Sequence, residues 1–150
     1  DILELGTALL RNKSSLAHEA WNVLEQVFMA ALDCSDAATA KSCLDDLQRH
    51  FPADKSARVQ LLVGRWHEFN GNTKEAEVIY RKLYDSNHAN TMAVKRLVAL
   101  EISAGNTNQA VTMLKEYLST FSSDMQAWHE LGELYLEAGQ FADAMFCFEE

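Results

Sequence analysis

Glycine and alanine recur in this chain at a fixed interval of 34 residues. The repeated residues are Gly71, Gly105 and Gly139, and Ala76, Ala110 and Ala144. Self-similarity at this period is typical of arrays in which helical hairpins stack on one another. No other feature constrains the fold as strongly. It predicts an all-α solenoid of antiparallel helical hairpins.

The residues after each glycine predict that one helix ends there and another begins at once. Glycine favours the backbone conformation that ends a helix. A polar residue follows it, with an acidic or amide residue three positions later, which resembles a capping box. These pairs are Asn72 with Glu75, Asn106 with Gln109, and Gln140 with Asp143. Ser123 with Gln126 predicts one more helix start of this kind.

The hydrophobic pattern also indicates helices. Val111, Leu114 and Leu118 follow Ala110 at intervals that place them on one face of a helix. An alternating pattern of strand length is absent from the sequence. A hydrophobic content of 48% and a single proline agree with a folded, helix-rich chain.

A weaker copy of the repeat precedes the regular ones. Ala40, Leu44 and Leu47 have the same spacing, but Ala40 precedes Ala76 by 36 residues, which indicates a two-residue insertion near positions 53–56. We therefore interpret the chain as one array. Its parts are a leading helix (1–20), repeats at 21–56, 57–90 and 91–124, and a truncated repeat at 125–150.

The last repeat indicates a fragment of a longer array. Met145, Phe146 and Phe148 are expected to face no following repeat, whereas solenoid ends normally carry a polar capping helix. The chain begins with Asp1 rather than Met, which agrees with an additional upstream segment. No basic start followed by an apolar block marks a secretory signal.

The charge disfavours several partners. The formal net charge is −9, so nucleic acid and an anionic membrane surface are poor partners. The longest apolar run, Val27 to Leu32, is far shorter than the roughly 20 residues of a membrane-spanning helix, so we expect no direct membrane insertion. The three cysteines lack metal-binding or redox spacing and predict free thiols in a reducing compartment.

The sequence contains no convincing catalytic pattern. His129 and Glu130 begin a zinc-protease-like H-E-x-x-H, but Glu133 occupies the place of the second histidine, so we interpret this stretch as a solvated polar helix face. The glycines do not cluster into a phosphate-binding loop. We therefore predict no enzyme, no cofactor and no metal site.

The last repeat resembles the tetratricopeptide repeat family. Its matching positions are Trp128, Leu131, Gly132, Tyr135, Ala144 and Phe148. We expect Gly132 and Ala144 to be small because the two helices cross there, with the larger residues around the crossing. The repeats at 57 and 91 depart from the pattern, although Gly64 and the alanines are kept. The motif Trp and Tyr positions hold Gln60 and His67 in one and Val94 and Glu101 in the other.

The resemblance to tetratricopeptide repeats implies a concave binding groove formed by the first helix of each hairpin. The candidate groove residues are Arg58, Leu61, Arg65, Met92, Lys95, Arg96 and His129. Two interpretations stay open: scattered solvated charges, or a site for an extended segment with acidic or carbonyl groups. The Lys and Asn clamp of adaptors that hold chaperone tails is absent, because its Asn position holds Arg65, Ala99 and Glu133.

A second resemblance covers nearly the whole chain. The segments "VFMAALD", "RHFP" and "DMQAWHELGELY" resemble the family of second subunits of the endoplasmic reticulum membrane protein complex. This implies a scaffold at the cytosolic face of that membrane. It would bind other subunits, including cytosolic segments of membrane-embedded ones, and help to assemble an insertase for membrane proteins. The alternative is a soluble adaptor that binds peptide tails in another pathway.

Overall fold

The structure of the protein is a computed structural model that describes residues 2–10 and 19–150. Within these ranges it is helical and contains no strand, which confirms the predicted fold class. The helices are α1 (Ile2–Leu10), α2 (Glu19–Asp33), α3 (Ala37–His50), α4 (Ala57–Phe69), α5 (Thr73–Ser86), α6 (Thr91–Ser103), α7 (Thr107–Thr120), α8 (Met125–Glu137) and α9 (Phe141–Glu149). The part of the predicted leading helix at 11–18 lies outside the described residues, and residues 19–20 belong to α2.

The chain divides into two compact units, one up to Leu83 and one from Tyr84 to Glu150. In the first unit, α1 packs on α2, α2 on α3 and α3 on α4. Its core includes Leu24, Phe28, Leu44, Leu47 and Leu62. In the second unit, α6 packs on α7, α7 on α8 and α8 on α9. Its core includes Val98, Leu114, Leu118, Leu131 and Cys147. In each of these pairs a helix thus packs on its neighbour along the chain, as hairpin repeats require.

The three repeated glycines end their helices in the same way. Gly71, Gly105 and Gly139 have φ angles of 77°, 79° and 73°. At the second of them, the Gly105 N–H donates to the Ile102 carbonyl at 3.0 Å, and the next amide donates to the Glu101 carbonyl at 2.9 Å. This pair of bonds is the Schellman motif, which requires a left-handed residue that glycine supplies most readily.

The turn between α2 and α3 has the same hydrogen bonds without a glycine. Ser35 has a φ of 59°, and its N–H donates to the Leu32 carbonyl at 3.0 Å. The Asp36 N–H donates to the Ala31 carbonyl at 2.8 Å. Ser35 precedes Gly71 by 36 residues, the interval of the matching alanines. The first hairpin therefore has the same turn as the later ones. The sequence pattern does not show this turn, because Ser35 stands where the later hairpins have glycine.

Polar side chains cap the first helices of three hairpins. Ser56, Asn90 and Asp124 each accept a hydrogen bond from the backbone N–H three residues later. The cap predicted at Ser123 is wrong, because the Asp124 carboxylate accepts from the Ala127 N–H at 3.1 Å. The loop before α4 has six residues (51–56), whereas the loops before α6 and α8 have four, so the first of these loops is two residues longer.

Two of the three capping boxes predicted for the second helices lack the side-chain cap bond. Asn106 is the N-cap of α7, but its side chain makes no capping bond. Its amide instead donates to Glu101 Oε2 at 2.9 Å. Gln140 at the start of α9 also lacks a side-chain cap bond. The glycine turn therefore defines these helix starts without help from the side chain that follows it.

The small residues of the repeat lie where helices meet. Ala76, Ala110 and Ala144 are buried. A Cβ on Gly64 would lie 2.7 Å from Tyr80 Cζ, and one on Gly132 would lie 2.8 Å from the Phe148 ring. The predicted close crossing thus takes the form of an aromatic ring of the second helix placed on a glycine of the first.

The remaining predicted packing residues differ in their burial. Leu131 is buried in the second core, and Trp128 and Tyr135 pack against that core while partly exposed. The Trp128 indole donates to the Ser122 carbonyl at 2.8 Å. One contact of this kind went unpredicted: Gly6 of α1 lies against Val27 of α2 and leaves no room for a Cβ.

Candidate functional site

In the first unit, the predicted groove residues lie on α4. The Arg58 guanidinium forms an ion pair with Glu25 and donates to Asn22 Oδ1 at 3.1 Å. Both partners belong to α2, so Arg58 links the first helices of two hairpins. Leu61 and Arg65 are half-buried on the same helix as Arg58.

In the second unit, the predicted groove residues lie on α6 and α8. Lys95 Nζ lies 2.7 Å from Asp124 Oδ2 and 3.4 Å from Gln126 Oε1. The structure therefore brings the predicted groove residue Lys95 of α6 next to Gln126 of α8. It also places the Asp124 carboxylate beside the Lys95 ammonium group, which compensates much of the positive charge of the lysine. Met92 is exposed, whereas Arg96 is half-buried.

Asp124 is the centre of a polar network that the sequence did not reveal. The Tyr117 hydroxyl donates to Asp124 Oδ2 at 2.7 Å. Burial alone would raise the pKa of Asp124, but hydrogen bonds from Lys95, Tyr117 and the Ala127 amide outweigh it, so the pKa is lowered. Burial, reinforced by the Asp124 hydrogen bond, raises the pKa of Tyr117 to about 12. The network ties α6, α7 and the start of α8 together.

Glu130 corrects the prediction of a solvated polar face. Its side chain is half-buried, and burial raises its pKa. Lys95 and Arg96 oppose that shift, while Glu133 and Asp124 add to it. Because these five residues interact electrostatically, Glu130 belongs to the charged lining beside Lys95.

His129 is exposed and has local contacts only. Its Nδ1 lies 3.6 Å from Glu133 Oε1, and its ring meets the Phe148 ring edge-on at a centroid distance of 5.4 Å. Across residues 2–10 and 19–150, no three His, Cys, Asp or Glu side chains are grouped as a metal site requires. In the same ranges no helix is long and apolar enough to cross a membrane.

A cleft of about 350 Å³ lies between α7 and α9, with α8 as its floor. We call it the α7–α9 cleft. Its apolar lining consists of Leu118, Trp128, Leu131, Tyr135, Phe146 and Cys147, and its polar lining of Lys115, Ser119 and Asp143. Phe146 meets Trp128 edge-on at a centroid distance of 5.9 Å. Phe146 therefore contacts Trp128 of its own hairpin and borders the cleft while it is 54% exposed, and the expectation that it faces no following repeat stays a prediction.

Hairpins whose two helices are joined by a glycine turn, with an aromatic ring of the second helix on a glycine of the first, define a tetratricopeptide repeat protein. The crystal structure of MamA is similar, with a TM-score of 0.62 over 93% of this chain and 82% of that chain. At 16% identity, this likeness supports the fold alone.

Comparison with protein families gives a narrower assignment. The chain belongs to the family described as the EMC2 TPR-like repeat domain, whose model matches residues 48–150. ER membrane protein complex subunit 2-A of Xenopus laevis is 39% identical over 150 residues, which cover 99% of this chain and 50% of the relative. TPR repeat protein oca3 of Schizosaccharomyces pombe is 36% identical over 132 residues, 88% of this chain and 46% of the relative. The chain thus spans about half the length of these curated relatives.

Proposed function

We propose that this chain is part of a non-enzymatic scaffold subunit of an endoplasmic reticulum membrane protein complex. The subunit acts at the cytosolic face of the membrane and supports membrane-protein insertion by holding other subunits, including cytosolic segments of membrane-embedded ones. One observation carries this proposal: 39% identity across nearly the whole chain to a relative whose name states that it is a subunit of this complex.

The contacts of the polar residues support a structural rather than a catalytic role. Arg58 is paired with Glu25, and Lys95 is paired with Asp124. Each pair joins different helices, so the charges that a catalytic site would use contribute to helix packing. We further propose that the chain is one array and part of a longer one, with repeats at 21–56, 57–90, 91–124 and 125–150. The greater length of the relatives supports this.

We propose that the exposed sides of the first helices contact partner segments. On α4 these contacts would come from Arg58, Leu61 and Arg65. On α6 and α8 they would come from Met92, Lys95, Arg96 and His129. Because Arg58 and Lys95 already have acidic partners, a ligand carboxylate would share these cations with Glu25 and Asp124. Apolar contact with Met92, which is 54% exposed, and carbonyl groups of the ligand would add to binding.

The test is affinity purification of the full-length protein from detergent-solubilised membranes. We expect a stoichiometric set of multi-spanning endoplasmic reticulum proteins to co-elute. The Met92→Glu variant should reduce that recovery, whereas Val78→Glu should not, since Val78 is even more exposed but lies on a second helix. Recovery only in the soluble fraction, alone or with chaperones, would contradict the proposal and favour the adaptor that binds peptide tails.

A further inference from the structure

The negative charge of the chain is concentrated near its end. Residues 116–150 contain eight acidic residues and neither lysine nor arginine. The preceding 115 residues contain 14 acidic and 13 basic residues and are almost neutral. Almost all of the net charge of −9 therefore lies in residues 116–150, from the last turns of α7 through α8 and α9.

Phe146 is exposed because of its position within the repeat. The equivalent residues of the three earlier hairpins, Ser42, Val78 and Thr112, are also exposed. The residues equivalent to Phe148, in contrast, are all buried: Leu44, Tyr80 and Leu114. Phe146 thus occupies an outward position that holds no aromatic residue in the earlier hairpins, and it is 54% exposed there.

The cleft beside Phe146 also differs from its equivalent one repeat earlier. That earlier cleft has a volume of about 240 Å³, with Tyr84, Val94 and Met113 in its lining. In the preceding repeat, the positions of Trp128, Tyr135 and Phe146 hold Val94, Glu101 and Thr112, and of these only Val94 lines the earlier cleft. The aromatic lining of the earlier cleft is instead Tyr84, Tyr117 and Phe121, so the α7–α9 cleft differs in having a tryptophan and a second-helix phenylalanine in its lining.

Acidic side chains lie beside this aromatic rim. Asp143 and Glu149 lie three residues before and three residues after Phe146 on the same side of α9, and Glu150 is the residue that follows α9. All three are exposed. Lys115 lies on the α7 side of the cleft, so the negative charge is on the α9 side. An aromatic rim with negative charge on its α9 side complements an apolar side chain flanked by positive charge.

We propose that the α7–α9 cleft binds a basic amphipathic helix of a partner protein. One large apolar side chain of that helix enters the cleft beside Trp128 and Phe146. Its lysine or arginine residues lie near Asp143, Glu149 and Glu150. The volume of about 350 Å³ is sufficient for one such side chain. The inference rests on the proposed scaffold function and names one class of partner for it.

A synthetic helix tests this inference on the full-length protein. The probe is a fluorescein-labelled peptide of about 16 residues with leucine on one face and lysine on the other. The control peptide replaces each lysine by glutamate. By fluorescence anisotropy at physiological salt, we expect the basic peptide to bind at least about tenfold more tightly. Equal affinity for both peptides would overturn the proposal.

Substitutions in the protein assign the binding to the cleft. Phe146→Ser should weaken binding of the basic peptide by at least about tenfold, because it removes the apolar rim. Thr112→Ser, at the equivalent position of the preceding hairpin, should leave it unchanged. Replacing Glu149 and Glu150 by Gln should weaken binding several-fold and reduce its salt dependence. Wild-type affinity in Phe146→Ser, with helicity intact by circular dichroism, would exclude the cleft as the site.

The two proposals can fail separately. If the full-length protein co-purifies with the membrane complex but Phe146→Ser binds the peptide normally, the scaffold function stands and the cleft proposal is wrong. If the peptide result depends on Phe146 but no membrane complex co-purifies, the cleft binds basic helices outside that complex.

Discussion

The hairpins α4–α5 and α8–α9 share one packing arrangement but differ in how completely it is buried. Each places a first-helix glycine against a second-helix aromatic ring, Gly64 against Tyr80 and Gly132 against Phe148. Tyr80 is fully buried, whereas Phe148 is 46% exposed. The family motif is complete in α8–α9 and degraded in α4–α5, so the better-packed ring lies in the hairpin with the weaker motif.

The difference shows what a repeat motif does and does not specify. Motif residues determine which groups meet inside one hairpin, because helical spacing alone places them. Burial of the ring depends in addition on what packs against the hairpin. In α4–α5 the Tyr80 hydroxyl also has a polar partner, since it donates to Glu68 Oε1 at 2.5 Å. That bond satisfies a buried hydroxyl that a phenylalanine would not carry.

The largest expected contrast comes from removal of the two rings. Tyr80→Ala should lower the free energy of unfolding by about 3–5 kcal/mol, because it leaves a cavity at a fully buried site. Phe148→Ala should cost only about 1 kcal/mol, because much of that ring already contacts water. Urea unfolding followed by circular dichroism measures both. Equal losses in the free energy of unfolding would show that the different burial of the two rings has no effect on stability.

Alanine at the two glycines sharpens the same comparison. Gly64→Ala should cost about 1–3 kcal/mol, because the buried Tyr80 ring cannot move away from the new methyl group. Gly132→Ala should change stability by less than about 0.5 kcal/mol, because the Phe148 ring can turn toward solvent while alanine improves helix propensity. Urea unfolding followed by circular dichroism also measures the effects of these two substitutions on stability. A larger loss for Gly132→Ala than for Gly64→Ala would reverse our interpretation of the two contacts.

The helix caps predict a difference in acid sensitivity. Ser56 caps α4 with a hydroxyl, whereas Asp124 caps α8 with a carboxylate whose pKa lies below its usual 3.8. The ionised form therefore stabilises the fold, and this contribution is present above the usual pKa and lost as pH falls through the lowered one. Asp124→Asn keeps a capping side chain but removes the charge, and it should cost about 1 kcal/mol at neutral pH.

Urea unfolding of both proteins across a pH series tests this. The gap between wild type and Asp124→Asn should narrow as the pH falls below 3.8. A constant gap would mean that the ionised carboxylate does not contribute. The matched control is Ser56→Ala, whose loss should not vary with pH, because a hydroxyl does not titrate in this range.

The smallest expected effect concerns the turns. Ser35→Gly should stabilise the protein by about 0.5–1 kcal/mol, because a non-glycine residue is strained at a positive φ. Gly71→Ser should have the opposite sign, since Gly71 has the same left-handed conformation and no neighbour within 4 Å of an added Cβ. Thermal unfolding of both variants measures the pair. If both substitutions shift the melting temperature in the same direction, the backbone conformation at these positions does not by itself explain their effects on stability.

Prediction from the sequence succeeded where the relevant residues are neighbours along the chain. The repeated alanines are buried, and the three repeated glycines end helices with positive φ. It failed at Ser123, because the neighbouring Asp124 accepts the capping hydrogen bond, and at Asn106, because its side chain donates to Glu101 instead.

The sequence by itself determined the helices, their order, the glycine turns and the family. These properties depend on backbone preference and on spacings of a few residues, which repeat every 34 positions. Only the tertiary structure decided that Lys95 pairs with Asp124, that Tyr80 is buried while Phe148 is not, and that Phe146 borders a cleft. Such contacts join side chains of different helices, so they follow from how the helices pack and not from the pattern along any one of them.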